Sequence, residues 1–204
     1  MNFRLPYSSI ITSGSNYLIA LLFLVTWTHP NTLGNDMLNS LSVIIFMEFI
    51  IIHSAAFMTV VFFLDKPPLT KLAAFFGLGI FYSIFVIAYS VSYGEWWPLW
   101  SFWLLIINRL IAMFSGKKDE NFITSAVAVW ASSVFAYIIG IFAFLLLPVP
   151  EFGITEEARK QFTASTLWFS DPASLLAFGV FYYFCVGTAQ FFILKKKKIL
   201  ELPV

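Results

Sequence analysis

The sequence predicts an all-α integral membrane protein, a bundle of six transmembrane helices with one short interfacial helix on the outer side. Three observations carry this expectation. Hydrophobic residues fill 60% of the 204 positions and charged residues 11%, against about 25% charged in an ordinary soluble domain. Six apolar stretches approach the roughly 20 residues a helix needs to cross a hydrocarbon core of about 30 Å. Threaded alternately through a membrane, those stretches put nearly all basic residues on one side. A soluble globule of this length could neither hide so much apolar surface nor cover itself with 12 basic and 11 acidic side chains. The same composition excludes a disordered chain and, with a net charge of +1, gives no basis for nucleic-acid binding. The one cysteine, Cys185, excludes an internal disulfide framework.

The first span, residues 10–28, is the least apolar, because Ser13, Gly14, Ser15 and Asn16 dilute its start. Arg4 ahead of an apolar run imitates a secretory signal. The run ends in Trp27-Thr28-His29-Pro30-Asn31 without a small-residue cleavage pattern, so a retained span is expected. The second span, 41–64, stops at Asp65-Lys66-Pro67-Pro68, and the third, 72–93, at Gly94-Glu95. The fourth, 96–114, opens with Trp96, Trp97 and Trp100, amphipathic rings suited to a membrane–water interface. The fifth, 123–147, ends at Pro148-Val149-Pro150, and the sixth, 173–194, follows Asp171-Pro172. Proline removes a backbone donor and biases its predecessor out of the helix, so these clusters are physical boundaries.

Two connections exceed a tight turn. Residues 31–40 are polar and carry Asp36. Within residues 151–171, Thr155 is placed to cap a short helix with Glu156 and Glu157 in its first turn, where the dipole favours anions. Arg159 and Lys160 follow at the spacing that reaches those carboxylates. Phe162, Leu167, Trp168 and Phe169 make the far half apolar. This helix is expected to lie on the outer interface or to cap the bundle.

Orientation follows from the basic residues. With the N-terminus cytoplasmic, Arg4, Lys66, Lys71, Lys117, Lys118, Lys195, Lys196, Lys197 and Lys198 are inside and only Arg159 and Lys160 outside. The expected protein is therefore a multi-pass protein of the cell membrane with both termini cytoplasmic. The four terminal lysines anchor the last span against an anionic leaflet.

Helices in lipid associate through close backbone approach and a few polar contacts. Ala128, Ser132, Ala136 and Gly140 recur every fourth residue on the fifth span. This stripe is expected to pack against another span or against its own copy in a homodimer.

Ionisable groups inside a membrane are expensive unless paired or hydrated, and are the first places to look for function. Glu48, His53 and Arg109 are those groups here. At 1.5 Å rise per residue, His53 and the Asn108-Arg109 pair reach a similar depth, with Tyr82 and Cys185 near the same level. Glu48 and His53 are five residues apart, about 140° around the helix, so they do not point at one spot. The candidate substrate-binding set is Glu48, His53, Tyr82, Asn108, Arg109 and Cys185. It fits a site that binds or passes a small solute or a proton. Two other readings stand beside it: a structural or regulatory subunit whose polar groups only order the helices, and an enzyme or cofactor binder using His53 and Glu48. A metal needs three or four converging ligands; His53, Glu48 and Cys185 form no local motif, and no metal or cofactor is assigned. No serine-hydrolase GxSxG is present.

Overall fold

The computed structural model describes residues 7–34, 36–115, 120–162 and 169–200, without the side chains of 7–12, 62, 109, 112–115, 120–123, 161 and 194–200. Arg4, Lys117, Lys118, Leu167 and Trp168 of the expectations above lie outside the described residues. The described chain is all-helical, with no strand. Its helices are α1 (Tyr7–Thr28), α2 (Met37–Phe63), α3 (Pro68–Tyr93), α4 (Trp97–Ser115), α5 (Glu120–Leu146), α6 (Glu156–Gln161) and α7 (Pro172–Leu200).

Four helical segments are long and apolar enough to cross a membrane: Met37–Val61, Pro68–Tyr93, Thr124–Leu146 and Pro172–Ile193. α1 and α4 contribute shorter apolar stretches among the described residues, Ser13–Thr28 and Trp97–Asn108. The coarse expectation of a multi-spanning helical membrane protein stands on these four.

Helix boundaries differ from expectation where capping chemistry outweighs hydropathy. α3 begins at Pro68 rather than 72, because proline at the first helical position loses only an amide that had no intrahelical partner. It ends at Gly94, whose left-handed φ of 71° lets its N–H reach Ser90 O. α2 begins at Met37, which shortens the expected 31–40 connection. α7 continues past 194 through the four lysines to Leu200, since lysine is a good helix former and the backbone ladder needs no apolar face.

The chain forms two compact units, one of residues Met1–Ser42 and Glu120–Val204, the other of Val43–Asp119. In the first, α7 carries both neighbours, α1 and α5. Glycines set the approach. A β-carbon on Gly140 of α5 would meet Phe178 at 2.7 Å and Phe181 at 3.1 Å, and one on Gly179 of α7 would overlap the Phe23 ring. The small-residue stripe of α5 thus meets another span at its Gly140 end. Around these notches Tyr137 meets Phe178 and Tyr182 edge-on, Phe169 tilts against Phe178, Phe178 stacks on Tyr182, and Phe23 stacks on Tyr183.

The connection between α5 and α7 is pinned at both ends. Trp27 Nε1 donates to Pro150 O at 3.0 Å, Gly153 N donates to Trp27 O at 3.1 Å, and the Phe152 ring meets Trp27 edge-on. Thr155 caps α6 as expected, its hydroxyl oxygen accepting from Ala158 N at 3.3 Å. Arg159, however, pairs with Glu151 at 2.8 Å and Asp171 at 2.6 Å rather than closing an ion pair within the helix. Two flanking carboxylates converge on the one guanidinium, and their two short ion pairs take its donors. Asp171 also caps α7, accepting from Ser174 N and Ser174 Oγ, both at 2.9 Å.

In the second unit, Val43, Met47, Ile50, Met58 and Val61 of α2 share a buried cluster with Phe75, Tyr82 and Val86 of α3 and Phe102, Ile106 and Leu110 of α4. Gly79 admits Ile106 and Trp103 of α4, whose side-chain atoms would lie 3.0 and 3.2 Å from a β-carbon there. Phe57, Phe63, Phe76, Phe81 and Phe85 are exposed, as lipid-facing bulk should be, whereas Phe75 is core.

Candidate functional site

Five of the six expected site residues, Glu48, His53, Tyr82, Asn108 and Arg109, fall in the second unit, and Cys185 falls in the first. The arrangement is built on α2. The apolar segment Met37–Val61 has its midpoint at Phe49, so Glu48 is about 1.5 Å and His53 about 6 Å from that midpoint along the axis. Two titratable groups therefore occupy the centre of a segment that is otherwise without charge. Their rotation agrees with the 140° estimate: Glu48 is half-buried and His53 is exposed.

The His53 ring is held on its own helix. Its Nδ1 is 2.9 Å from Phe49 O, and its ring lies 4.1 Å from the Phe49 ring, tilted by 47°. A carbonyl oxygen only accepts, so Nδ1 carries the proton of that bond. In the neutral imidazole Nε2 then has an open lone pair, presented on the exposed face. Nδ1–H bonded to a backbone carbonyl is the same second contact that orients imidazoles serving as ligands or proton acceptors. The neighbouring Ser54 is buried and donates to Ile51 O at 3.1 Å, so it offers His53 no nucleophile.

Tyr82 is 7% exposed and belongs to the α2–α3–α4 core, where its ring meets Phe81 edge-on. Asn108 is exposed on α4. Arg109 is helical, with its side chain outside the described residues. Cys185 is a half-buried free thiol on α7. Among the described residues no three His, Cys, Asp or Glu side chains converge as a metal set would.

Two polar arrangements were not anticipated. The first is the Arg159 clamp. Its hydrogen bond to Asp171 raises the guanidinium above its ordinary value. Burial pushes the Asp171 carboxyl up, but the Ser174 amide and hydroxyl and the Arg159 guanidinium outweigh it and hold it below its ordinary value. The second is a polar seam between α1 and α7. Asn16 Nδ2 donates to Gln190 Oε1 at 2.8 Å, and Tyr17 OH lies 3.0 Å from Thr188 Oγ1. Thr188 spends its only proton on Phe184 O at 2.8 Å, so Tyr17 is the donor of that pair. A sequence signal existed: Gly179 and Gly187 are eight residues apart on one helix face, and the polar start of α1 is its counterpart. Comparison of the chain with protein-family models, with curated proteins and with solved structures finds no match.

Proposed function

We propose that this membrane protein binds or passes a proton or a small polar solute at Glu48 and His53, the working groups of α2. The observation that carries the reading is the exposed His53 ring, held by Phe49 O at 2.9 Å with no partner to Nε2 among the described residues. An open acceptor near the centre of an apolar segment is costly unless a donor arrives there, and a proton or a hydrogen-bonding solute is such a donor. Asn108 and Arg109 on α4 and Tyr82 on α3 complete the site in this reading.

The rest of the reading concerns placement. The chain crosses the bilayer six times with both termini cytoplasmic, and α6 lies at the outer surface. Nine basic residues against two support that orientation. Dimerisation through Ala128, Ser132, Ala136 and Gly140 is its weakest element, because Phe178 and Phe181 fill the space beside Gly140.

The test is flux. Purified protein is reconstituted into liposomes containing a pH-sensitive dye and given an outward proton gradient, with and without candidate solutes. Protein-dependent dissipation that falls in His53→Ala and Glu48→Gln supports the reading. Dissipation equal to empty liposomes under every condition would remove it and leave the structural-subunit reading.

A further inference from the structure

A strip of rings with a single hydrogen-bonding side chain in it runs along one side of α2. The core of the second unit takes Val43, Met47, Ile50, Met58 and Val61 from this helix. Phe49, His53, Phe57 and Val60 are spaced by four, four and three residues, which lines them up within about 80° of rotation on a separate side. His53 is exposed, as are Phe57 at 53% and Val60 at 60%. Phe49 is half-buried, and its ring lies 4.1 Å from the His53 ring. The space beside the imidazole is therefore open. Its neighbour one turn further along the helix is another bare ring.

The chemistry of the strip selects a ligand. His53 is about 6 Å along the axis from Phe49, the midpoint of the 25-residue apolar segment Met37–Val61. Hydrocarbon at that depth holds no water. A molecule that reaches the exposed ring from the side of the helix must itself be lipid-soluble. Nδ1 donates to Phe49 O at 2.9 Å, so Nε2 presents a lone pair, to which no described residue donates. Glu48 is about 140° away around the helix, so the strip carries no carboxylate that would hold a cation. Rings on both sides of the imidazole favour a flat ring over an alkyl chain, since offset and edge-on contacts add to plain burial.

We infer that this strip of α2 binds a lipid-soluble phenol, an aromatic ring whose hydroxyl donates to His53 Nε2 while the ring lies against Phe49 and Phe57. The inference rests on the proposed role of His53 and narrows its hydrogen-bonding solute to one that enters from the bilayer. Phe57, which exposure alone marks as lipid-facing bulk, becomes the second wall of the site.

Nitrogen-15 imidazole spectra of the full chain in lipid nanodiscs, titrated with three probes, test it. The probes are para-nonylphenol, its methyl ether, which keeps the ring and loses the donor, and dodecanol, which keeps the donor and loses the ring. The phenol should shift the His53 Nε2 resonance saturably, at concentrations about tenfold lower than either of the other two. His29, exposed at the end of α1 with Nδ1 2.9 Å from Thr28 Oγ1, is the internal reference and should not move with it. Phe57→Leu changes an exposed side chain and should weaken the phenol response several-fold in a protein that still folds. Equal responses to the three probes, a response that does not saturate or that His29 shares, or an unchanged response in Phe57→Leu would overturn the site. A His53 shift that follows the protein-to-lipid ratio and ignores the probe would give the strip to a second copy of the chain, and overturn it too. Proton flux that depends on Glu48 and His53, without phenol binding, would remove this inference alone. Saturable phenol binding without flux would keep the site and remove the passage of protons.

Discussion

Phe23 of α1 occupies a notch left by the absent side chain of Gly179 on α7, so close that a β-carbon at position 179 would overlap the ring. Helices in lipid gain little from burying one apolar side chain against another, so association depends on close approach of this kind. Gly179→Ala should destabilise the protein by about 1–3 kcal/mol, the usual cost of overpacking a filled site. Gly77 is the control: a β-carbon there meets nothing within 4 Å. Gly77→Ala should leave stability unchanged or raise it by up to about 1 kcal/mol through helix propensity. Thermal unfolding of both variants in one detergent measures the contrast, and equal losses would show that Gly179 is not a packing notch.

The Arg159 clamp has unequal arms. Glu151 is largely exposed, whereas Asp171 is more enclosed and also caps α7. Screening by solvent limits each ion pair, so Glu151→Gln should cost only about 0–0.5 kcal/mol and Asp171→Ala about 1 kcal/mol or somewhat more, through the lost cap. The two unfolding temperatures should rank accordingly, and a larger loss for Glu151→Gln would reverse the assignment of arms.

Acidification adds a second handle on Asp171. Its folded carboxyl titrates below the ordinary value, so its contribution is complete above the unfolded carboxylate pKa of about 3.9. That contribution is lost as pH falls through the lower folded-state value. Stability of the wild type should therefore decline more steeply than that of Asp171→Asn below about pH 4. Parallel acid-unfolding curves would contradict this.

Phe152 holds a left-handed backbone, φ 44°, while its ring meets Trp27 at 4.7 Å. The conformation costs a non-glycine residue about 1–2 kcal/mol, and an edge-on aromatic pair returns about 0.5–1.5 kcal/mol. Phe152→Gly loses the pair but relieves the backbone, so its stability should stay near that of the wild type. Phe152→Ala loses the pair and keeps the strain, so it should be the less stable of the two variants. The opposite order in thermal unfolding would show that strain is absent.

How far the sequence could be read depends on which forces speak locally. Helix positions were legible because apolar length, proline and glycine act within one segment; Pro68 misled only because proline begins a helix as readily as it ends one. Thr155 as a cap was legible for the same reason. The Arg159 pairing was not, since Asp171 is twelve residues away and only the folded connection brings it near. The α1–α7 seam was hidden differently. Ser13 and Asn16 weakened the apparent apolarity of the first span, and the α7 partners of Asn16 and Tyr17 lie more than 170 residues along the chain. For the candidate site, the sequence located His53 near mid-span, but the bond that orients it is a rotamer choice that periodicity does not encode.

The most direct test of the account is the tautomer of His53. The chain has two histidines, so nitrogen-15 imidazole spectra of the protein in lipid nanodiscs, repeated with His29→Gln, assign the His53 ring unambiguously. The His53 ring should carry its proton at Nδ1, bound to Phe49 O, with Nε2 unprotonated. A neutral ring protonated at Nε2 would make the exposed nitrogen a donor, and the acceptor on which the proposed site depends would not exist.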